Sequence, residues 1–330
     1  MQAIVIRTFS SADAAAVMDL QRAYTDIYPG APVIPAEMYL SPAFHGGQDV
    51  FCAYDGESLL AYAPLYVQLI EAGPADLPHV AWVEMKSSLS LLDSQMVKDA
   101  LLERLMGRAR QLVADAAGGS GRPIRMTFEY RASEKPAAAY VQSKGFAYVE
   151  SVFLMRRDLT MPLPAGEGTI RDGAAAARLA LALRRWKMPA VEDQRAYITA
   201  RNECFPEAPI TLESWQYYML SPQWAAGVMI AGFDGAELAG AVNVYWDEAE
   251  NRHAERPAGY TEDIFVRAPY RGRGLARAMI VDGMRYLKEH GLREARLNVR
   301  AVNETALTLY QRLGYQVSQE SRFYAKTIEM

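Results

Sequence analysis

The sequence predicts an α/β (α+β) protein made of two similar domains in tandem, each a mixed, mostly antiparallel sheet flanked by helices. Three observations lead there. The chain is written twice, an Asp-Gly pair joins two apolar strands in each copy, and long amphipathic helical stretches follow those strands.

The repeat comes first. QRAY at 21–24 returns at 194–197, YPGAP at 28–32 returns as FPEAP at 205–209, and YLSP at 39–42 returns as MLSP at 219–222. AYDGESLLAYA at 53–63 pairs with GFDGAELAGAV at 232–242, and YVQSKGFAYVES at 140–151 with YQRLGYQVSQES at 310–321. The offsets stay between 169 and 180 residues and the order is kept, which chance does not supply. So long a period means two domains and not a solenoid. The stretch TMPLPAGEGTIRDGAAAA (160–177) has linker composition, so the expected domains are 1–163 and 164–330.

Each half is expected to open with a strand (IVIRTF; LALALRRW) and continue with the QRAY helix and a shorter helix ending near the LSP. The Asp-Gly hairpin follows. A further strand then leads into a long helix: HVAWVEM with 94–117 in the first half, YTEDIFV with 274–290 in the second. Another strand (PIRMTFEY; EARLNVRA), a helix and a final strand pair complete the unit.

At 330 residues the chain suits two cores, and 51% hydrophobic with 22% charged residues is globular composition. A net charge of −4 argues against a nucleic-acid binder. Cys52 and Cys204 are the only cysteines, and the four histidines are scattered, so no metal site is expected. The N-terminal MQAIVIRTFSSADA has an arginine within its apolar run and resembles a strand more than a signal peptide; no apolar run reaches bilayer length. The expectation is a cytoplasmic protein, monomer or homodimer, with no membrane partner.

One stretch occurs in a single copy. YRGRGLARA (270–278) lies between the strand ending near Val266 and a helix with Ala276, Met279, Ile280, Met284 and Leu287 on one stripe. A glycine turn there leaves N–H groups unpaired at the positive end of a helix. A dipole alone contributes about 0.3–1 kcal/mol and micromolar binding needs roughly 8 kcal/mol. Several amides and an arginine must therefore act on one ligand, and a diphosphate has the right size. The alternatives for RGRG alone are a solvated RNA-contacting loop or a plain turn.

Arg271-Gly272-Arg273-Gly274-Leu275-Ala276 resembles the [RQ]-x-x-G-x-[GA] signature of the GNAT acyltransferase superfamily. Asn303, Ala306, Tyr310 and Gly314-Tyr315 resemble its companion motif. The match covers most of 178–330 and, through the repeat, more weakly the first half. The organisation is similar to that of tandem two-domain members.

The resemblance implies acetyl-CoA as cosubstrate, with its pyrophosphate on the glycine turn and its arm along Ile264, Phe265 and Val266. Asn303 is placed with the cofactor-binding residues. The implied activity is transfer of an acetyl group to a primary amine of a small molecule or peptide, by direct attack in a ternary complex. A CoA-binding sensor without turnover is the alternative. No cysteine is expected near either motif, which speaks against an acyl-enzyme.

Tyr310 shares a helix face with Asn303 and Ala306 and is a general-acid candidate; a core aromatic between Leu309 and Leu313 is the other reading. For the base, strand alternation would put Glu262 on one face with Ile264 and Val266, and Asp263 on the other. Glu262 is the first choice and Asp263 the second; Tyr260 stands where some members of the superfamily carry their carboxylate. Trp215, Tyr217 and Tyr218 are expected to pack on the sheet, with a groove wall as the alternative.

The first half has no glycine between Gly73 and Gly107, and Val141 stands where the second half has Tyr310. It is expected to be a degenerate copy without the phosphate turn.

Overall fold

The computed structural model describes residues 4–70, 77–88, 95–117, 121–164, 181–206, 208–252 and 254–330. The chain forms two compact units, Met1–Val152 with Gln319–Met330, and Phe153–Ser318. This corrects the expected boundary at 163/164. The last strand of each half is exchanged: residues 319–330 complete the first unit, and 153–163 belong to the second.

In the first unit the strands are β1 (Val5–Thr8), β2 (Val50–Asp55), β3 (Ser58–Gln68), β4 (His79–Val83), β5 (Lys86–Ser87) and β6 (Ile124–Arg131). The helices are α1 (Ala14–Ile27), α2 (Gln95–Ala117) and α3 (Lys135–Ser143). The sheet order is β1-β2-β3-β4-β6-β13, where β13 is Gln316–Ile328, and β5 pairs with β3. β4 and β6 are parallel, and β13 lies antiparallel on β6 from Ser321↔Arg131 to Ile328↔Ile124.

The second unit has β7 (Ala147–Asp158, of which 153–158 belong here), β8 (Leu181–Trp186), β9 (Val228–Asp234), β10 (Glu237–Tyr245), β11 (Ala258–Val266) and β12 (Glu294–Arg300). Its helices are α4 (Val191–Cys204), α5 (Leu212–Met219), α6 (Pro222–Ala226), α7 (Glu248–Asn251), α8 (Leu275–Glu289) and α9 (Glu304–Arg312). The sheet order is β7-β12-β11-β10-β9-β8. Each half thus ends in one long strand, where a strand pair was expected.

The elements form where the sequence places them. Both Asp-Gly turns are two-residue hairpin loops, Asp55↔Ser58 and Asp234↔Glu237, with Gly56 and Gly235 at positive φ. Both QRAY segments lie on helices, α1 and α4. The stripe of α8 is buried as Met279, Ile280, Met284 and Leu287 against β9, β10 and β11. Burial of each such side chain contributes about 1.5–3 kcal/mol, so the start of α8 is held rigidly on the sheet. The helix ends at Gly291 (φ 82°), with the Leu292 amide bonded back to Leu287 O at 3.1 Å.

Two features of β11 position the site. It is parallel to β12 only from Ala258↔Glu294 to Tyr260↔Arg296, and beyond that point no backbone register joins the two strands. Against β10 its register passes from Asn243↔Glu262 to Ala241↔Phe265, two steps on one strand against three on the other. The extra residue is a bulge, and Asp263 within it has φ 50°.

Candidate active site

The bulge overturns simple alternation across 262–266. Glu262 and Asp263 line the same cavity, beside α4 and α5. Ile264 and Val266 pack on the opposite face, against the cluster that contains Met279 and Tyr310. The expectation that Glu262 shares a face with Ile264 and Val266 is therefore corrected: one inserted residue flips the pleat.

Two cavities meet on β11. The larger, about 870 Å³, is walled by Ile264, Phe265 and Val266, by the turn residues Arg271, Gly272 and Gly274, by Leu275 and Ala276, and by Asn303 and Tyr310. The other, about 610 Å³, is walled by Arg201, Trp215, Tyr218, Asn243, Tyr245, Glu262 and Asp263. Among residues the sequence marked for the cofactor, only Arg273 is outside the larger cavity; its guanidinium lies 6.0 Å from the Tyr270 ring centre.

The glycine turn has the geometry of an anion nest. Gly272 (φ 74°) and Gly274 (φ 79°) are both left-handed, and Gly274 is the N-cap of α8. A Cβ at either position would meet no protein atom within 4 Å, so the space beside both α-carbons is open. The first helical bond runs from Ala278 N to Gly274 O at 3.0 Å, which leaves the amides of Leu275 and Ala276 at the open end of the helix. Tyr270 is buried beneath the turn, and Arg271 Nε donates to Val266 O at 2.9 Å, tying turn to strand. Arg277 also lines the cavity, a cation that the signature did not mark.

The residues present fit acetyl-CoA on these observations: open left-handed glycines, helix-end amides with an arginine beside them, and a strand edge freed by the splay from β12. Asn303 caps α9, its side chain accepting from Ala306 N at 3.1 Å, so its side-chain oxygen serves the helix while the residue borders the cavity.

Tyr310 is buried at 6% exposure, its ring edge-on to Tyr315 at 6.1 Å. It is both a core aromatic and a wall of the cavity. Its hydroxyl makes no hydrogen bond with the described residues, and burial pushes its pKa up to about 12. In the first half the matching Val141 is buried, and the neighbouring Tyr140 turns away to donate to Asp99 at 2.8 Å.

Glu262 is held by two donors, Tyr245 Oη at 2.8 Å and Asn298 Nδ2 at 2.6 Å. Asp263 is occupied differently. It accepts from Tyr197 Oη and from Arg201 Nε at 2.9 Å, both on α4. These contacts fix the carboxylate that carries the unusual φ, and burial together with Asp263 raises the Tyr197 pKa.

Trp215 packs on the sheet and also lines the smaller cavity with Tyr218, whereas Tyr217 is exposed. Tyr197, Arg201, Asn243 and Tyr245 escaped the sequence reading; the QRAY repeat was the available signal for the first.

Cys204 corrects the expectation that no cysteine is near the motifs. It ends α4 on the wall of the larger cavity, brought there by the fold from 66 residues before Tyr270. Burial raises its thiol pKa despite the Arg271 side chain beside it, which makes it a poor nucleophile. Among the described residues no group of side chains could hold a metal, no helix is long and apolar enough to cross a membrane, and the stretch 85–99, which carries no glycine, lies outside the described residues at 89–94.

The model of the acetyltransferase (GNAT) family matches residues 194–315. The chain is 26% identical over 332 residues to a mycothiol acetyltransferase of Catenulispora acidiphila, covering 94% of each chain. It is 27% identical to a mycothiol acetyltransferase of Streptomyces scabiei, covering 82% of this chain and 77% of that one. In structure it is similar to a GCN5-related N-acetyltransferase from Sphaerobacter thermophilus, with TM-score 0.76 at 22% identity over 100% of this chain and 98% of that one. A tandem GNAT protein from the clavulanic acid biosynthesis pathway superposes with TM-score 0.66 at 14% identity, covering 98% of each. With the glycine nest, the splayed strand and the two-unit architecture, these likenesses agree: residues 194–315 belong to the GNAT acetyltransferase family, and the chain as a whole has the fold of tandem GNAT proteins.

Proposed function

We propose that the second unit transfers an acetyl group from acetyl-CoA to the primary amine of a small molecule, by direct attack with both substrates bound. The observation that carries this reading is the position of β11. One strand walls a cavity with a phosphate nest and Tyr310 on one side, and a cavity with Glu262 on the other.

Acetyl-CoA supplies the activated acetyl group. Gly272, Gly274 and the amides of Leu275 and Ala276 hold its pyrophosphate, and the freed edge of Ile264–Val266 aligns the rest of it. The acceptor enters the smaller cavity. There the Asn243 Oδ1 is buried without a partner, while its Nδ2 donates to Tyr218 Oη at 2.8 Å. That carbonyl oxygen is suited to an N–H or O–H of the acceptor. Glu262 takes the ammonium proton, directly or through one water, and Tyr310 protonates or hydrogen-bonds the departing thiolate. Asp263 is ion-paired with the Arg201 guanidinium, whereas Glu262 accepts only from the neutral Tyr245 and Asn298 side chains, which favours Glu262 over Asp263 as base. The relatives named mycothiol acetyltransferases suggest a small, thiol-bearing amine as the first acceptor to try.

Glu262→Gln tests the base. At neutral pH we expect kcat to fall about a hundredfold, the lower end for general-base catalysis. The deficit should shrink as pH rises toward the amine's own pKa, about 10 for an alkylamine, because free amine then forms without the base. A variant as fast as wild type at pH 7 would sink the assignment.

A further inference from the structure

We propose that the first unit holds a second, non-catalytic site, for a small organic ammonium ion, in its cavity walled by Tyr39, Phe44, Tyr66, Trp82, Glu84 and Glu129. The cavity has a volume of about 230 Å³ and lies wholly within that unit. It is below the ordinary range for drug-sized ligands, so it suits a small one.

The repeat shows what this cavity descends from. The offset of 179 that aligns the hairpins takes Pro64 to Asn243 and Tyr66 to Tyr245. Asn243 stands opposite Glu262, and the Glu84 amide bonds Pro64 O at 3.3 Å, next to the Leu65↔Val83 pair. Glu84 therefore occupies the strand position of Glu262. The first unit has kept a carboxylate on the acceptor side while Val141 replaced the tyrosine on the other.

Beyond Glu84 the two copies diverge. Pairing resumes at Tyr62↔Lys86, two residues on, with no bulge. Lys86 is almost wholly buried, bonded to Pro32 O at 2.5 Å and paired with Glu84. Tyr39 on the cavity wall has 0% exposure, and its hydroxyl, beside that of Tyr62, makes no hydrogen bond of ordinary geometry with the described residues. Burial of such a group without a partner costs about 1–3 kcal/mol, which a ligand can recover by donating to it.

The ligand's charge follows from the walls. Glu84, Glu129 and Glu134 all border the cavity, which disfavours a carboxylate or phosphate. Arg131, the one cation on the wall, has its Nε on Gly30 O at 2.8 Å and its Nη1 on Glu129 and Ser321. A neutral apolar ligand would leave the Tyr39 hydroxyl unpaired. An ammonium group donates to that oxygen and to a carboxylate, and the faces of Tyr66 and Trp82, each partly exposed, stabilise its charge.

The test uses the full chain labelled with fluorotryptophan, with the Trp82 resonance assigned by its loss in Trp82→Phe. Butylammonium, butyrate and butanol are titrated separately and followed by fluorine NMR. Butylammonium should shift the Trp82 resonance saturably, and butyrate and butanol should not. Tyr66→Ala and Glu129→Gln, both at exposed rim positions, should each weaken the response about fivefold to tenfold. An equal response to butyrate or butanol, indifference to both substitutions, or a shift confined to the Trp215 resonance of the other unit would overturn the proposal.

Discussion

Replacing Tyr310 by Phe should lower kcat about a hundredfold while leaving the KM for acetyl-CoA within about twofold. The substitution is structurally mild. The ring is buried against Tyr315 and a phenylalanine fills the same space, and the hydroxyl has no partner among the described residues to strand. Loss of activity would then report the hydroxyl alone. General acids contribute about 10²–10⁴-fold, and the lower end applies here. A phenol at about 12 is a weaker acid than a thiol near 8.5, so it stabilises the thiolate chiefly by a hydrogen bond.

The same shift sets a pH dependence. Burial raises the phenol, so it stays protonated below about 12 and loses its proton only as pH rises through that value. The wild-type rate should show no alkaline loss from this group between pH 8 and roughly 10.5. Thiol release measured for both proteins across that range decides the matter. Equal rates would remove Tyr310 from the mechanism, and a Tyr310-dependent fall near pH 10 would contradict the raised phenol.

A chain ending at Ser318 should fail to fold its first unit, although all its first-half residues up to Val152 remain. The missing segment supplies the strand that pairs with β6 over eight positions, and it buries Tyr324 and Ile328 in the first core. Lys326 Nζ also bonds Lys144 O at 2.9 Å, at the end of α3. Two buried side chains at about 1.5–3 kcal/mol each, with several ladder bonds at about 1 kcal/mol, approach the 5–15 kcal/mol that hold a domain together. The truncation also bares the full edge of β6, a template for aggregation. Hydrogen exchange at Met126, Phe128 and Tyr130 should lose its protection. Joining residue 152 to residue 319 through a flexible linker should restore a folded first unit. Protection retained in the truncated chain would contradict the strand exchange.

Much of this was legible in the sequence because it is encoded locally. Asp-Gly turns, the stripe of α8 and the left-handed glycines of 270–276 each follow from neighbouring residues, and the repeat supplied the tandem architecture. The strand exchange was not legible. β7 and β13 carry similar patterns, and nothing in either says which copy of the sheet it joins. The bulge at Asp263 was hidden too, since one inserted residue in TEDIFV leaves the composition of a strand intact. It nevertheless decides that Glu262 and Asp263 share a cavity. Cys204 and Arg201 reached the site through tertiary folding alone, far in sequence from either motif.

The central claim is that the glycine turn at the head of α8 holds acetyl-CoA for the reaction, and Gly274→Val tests it most directly. At φ 79° a side chain costs about 1–2 kcal/mol of backbone strain, yet its Cβ meets no protein atom within 4 Å, so the unit should stay folded. The added methyl groups occupy the space assigned to the pyrophosphate. With the amine that supports the fastest thiol release, the KM for acetyl-CoA should rise at least about tenfold while kcat at saturation stays near wild type. A folded Gly274→Val protein with an unchanged KM for acetyl-CoA would contradict the account.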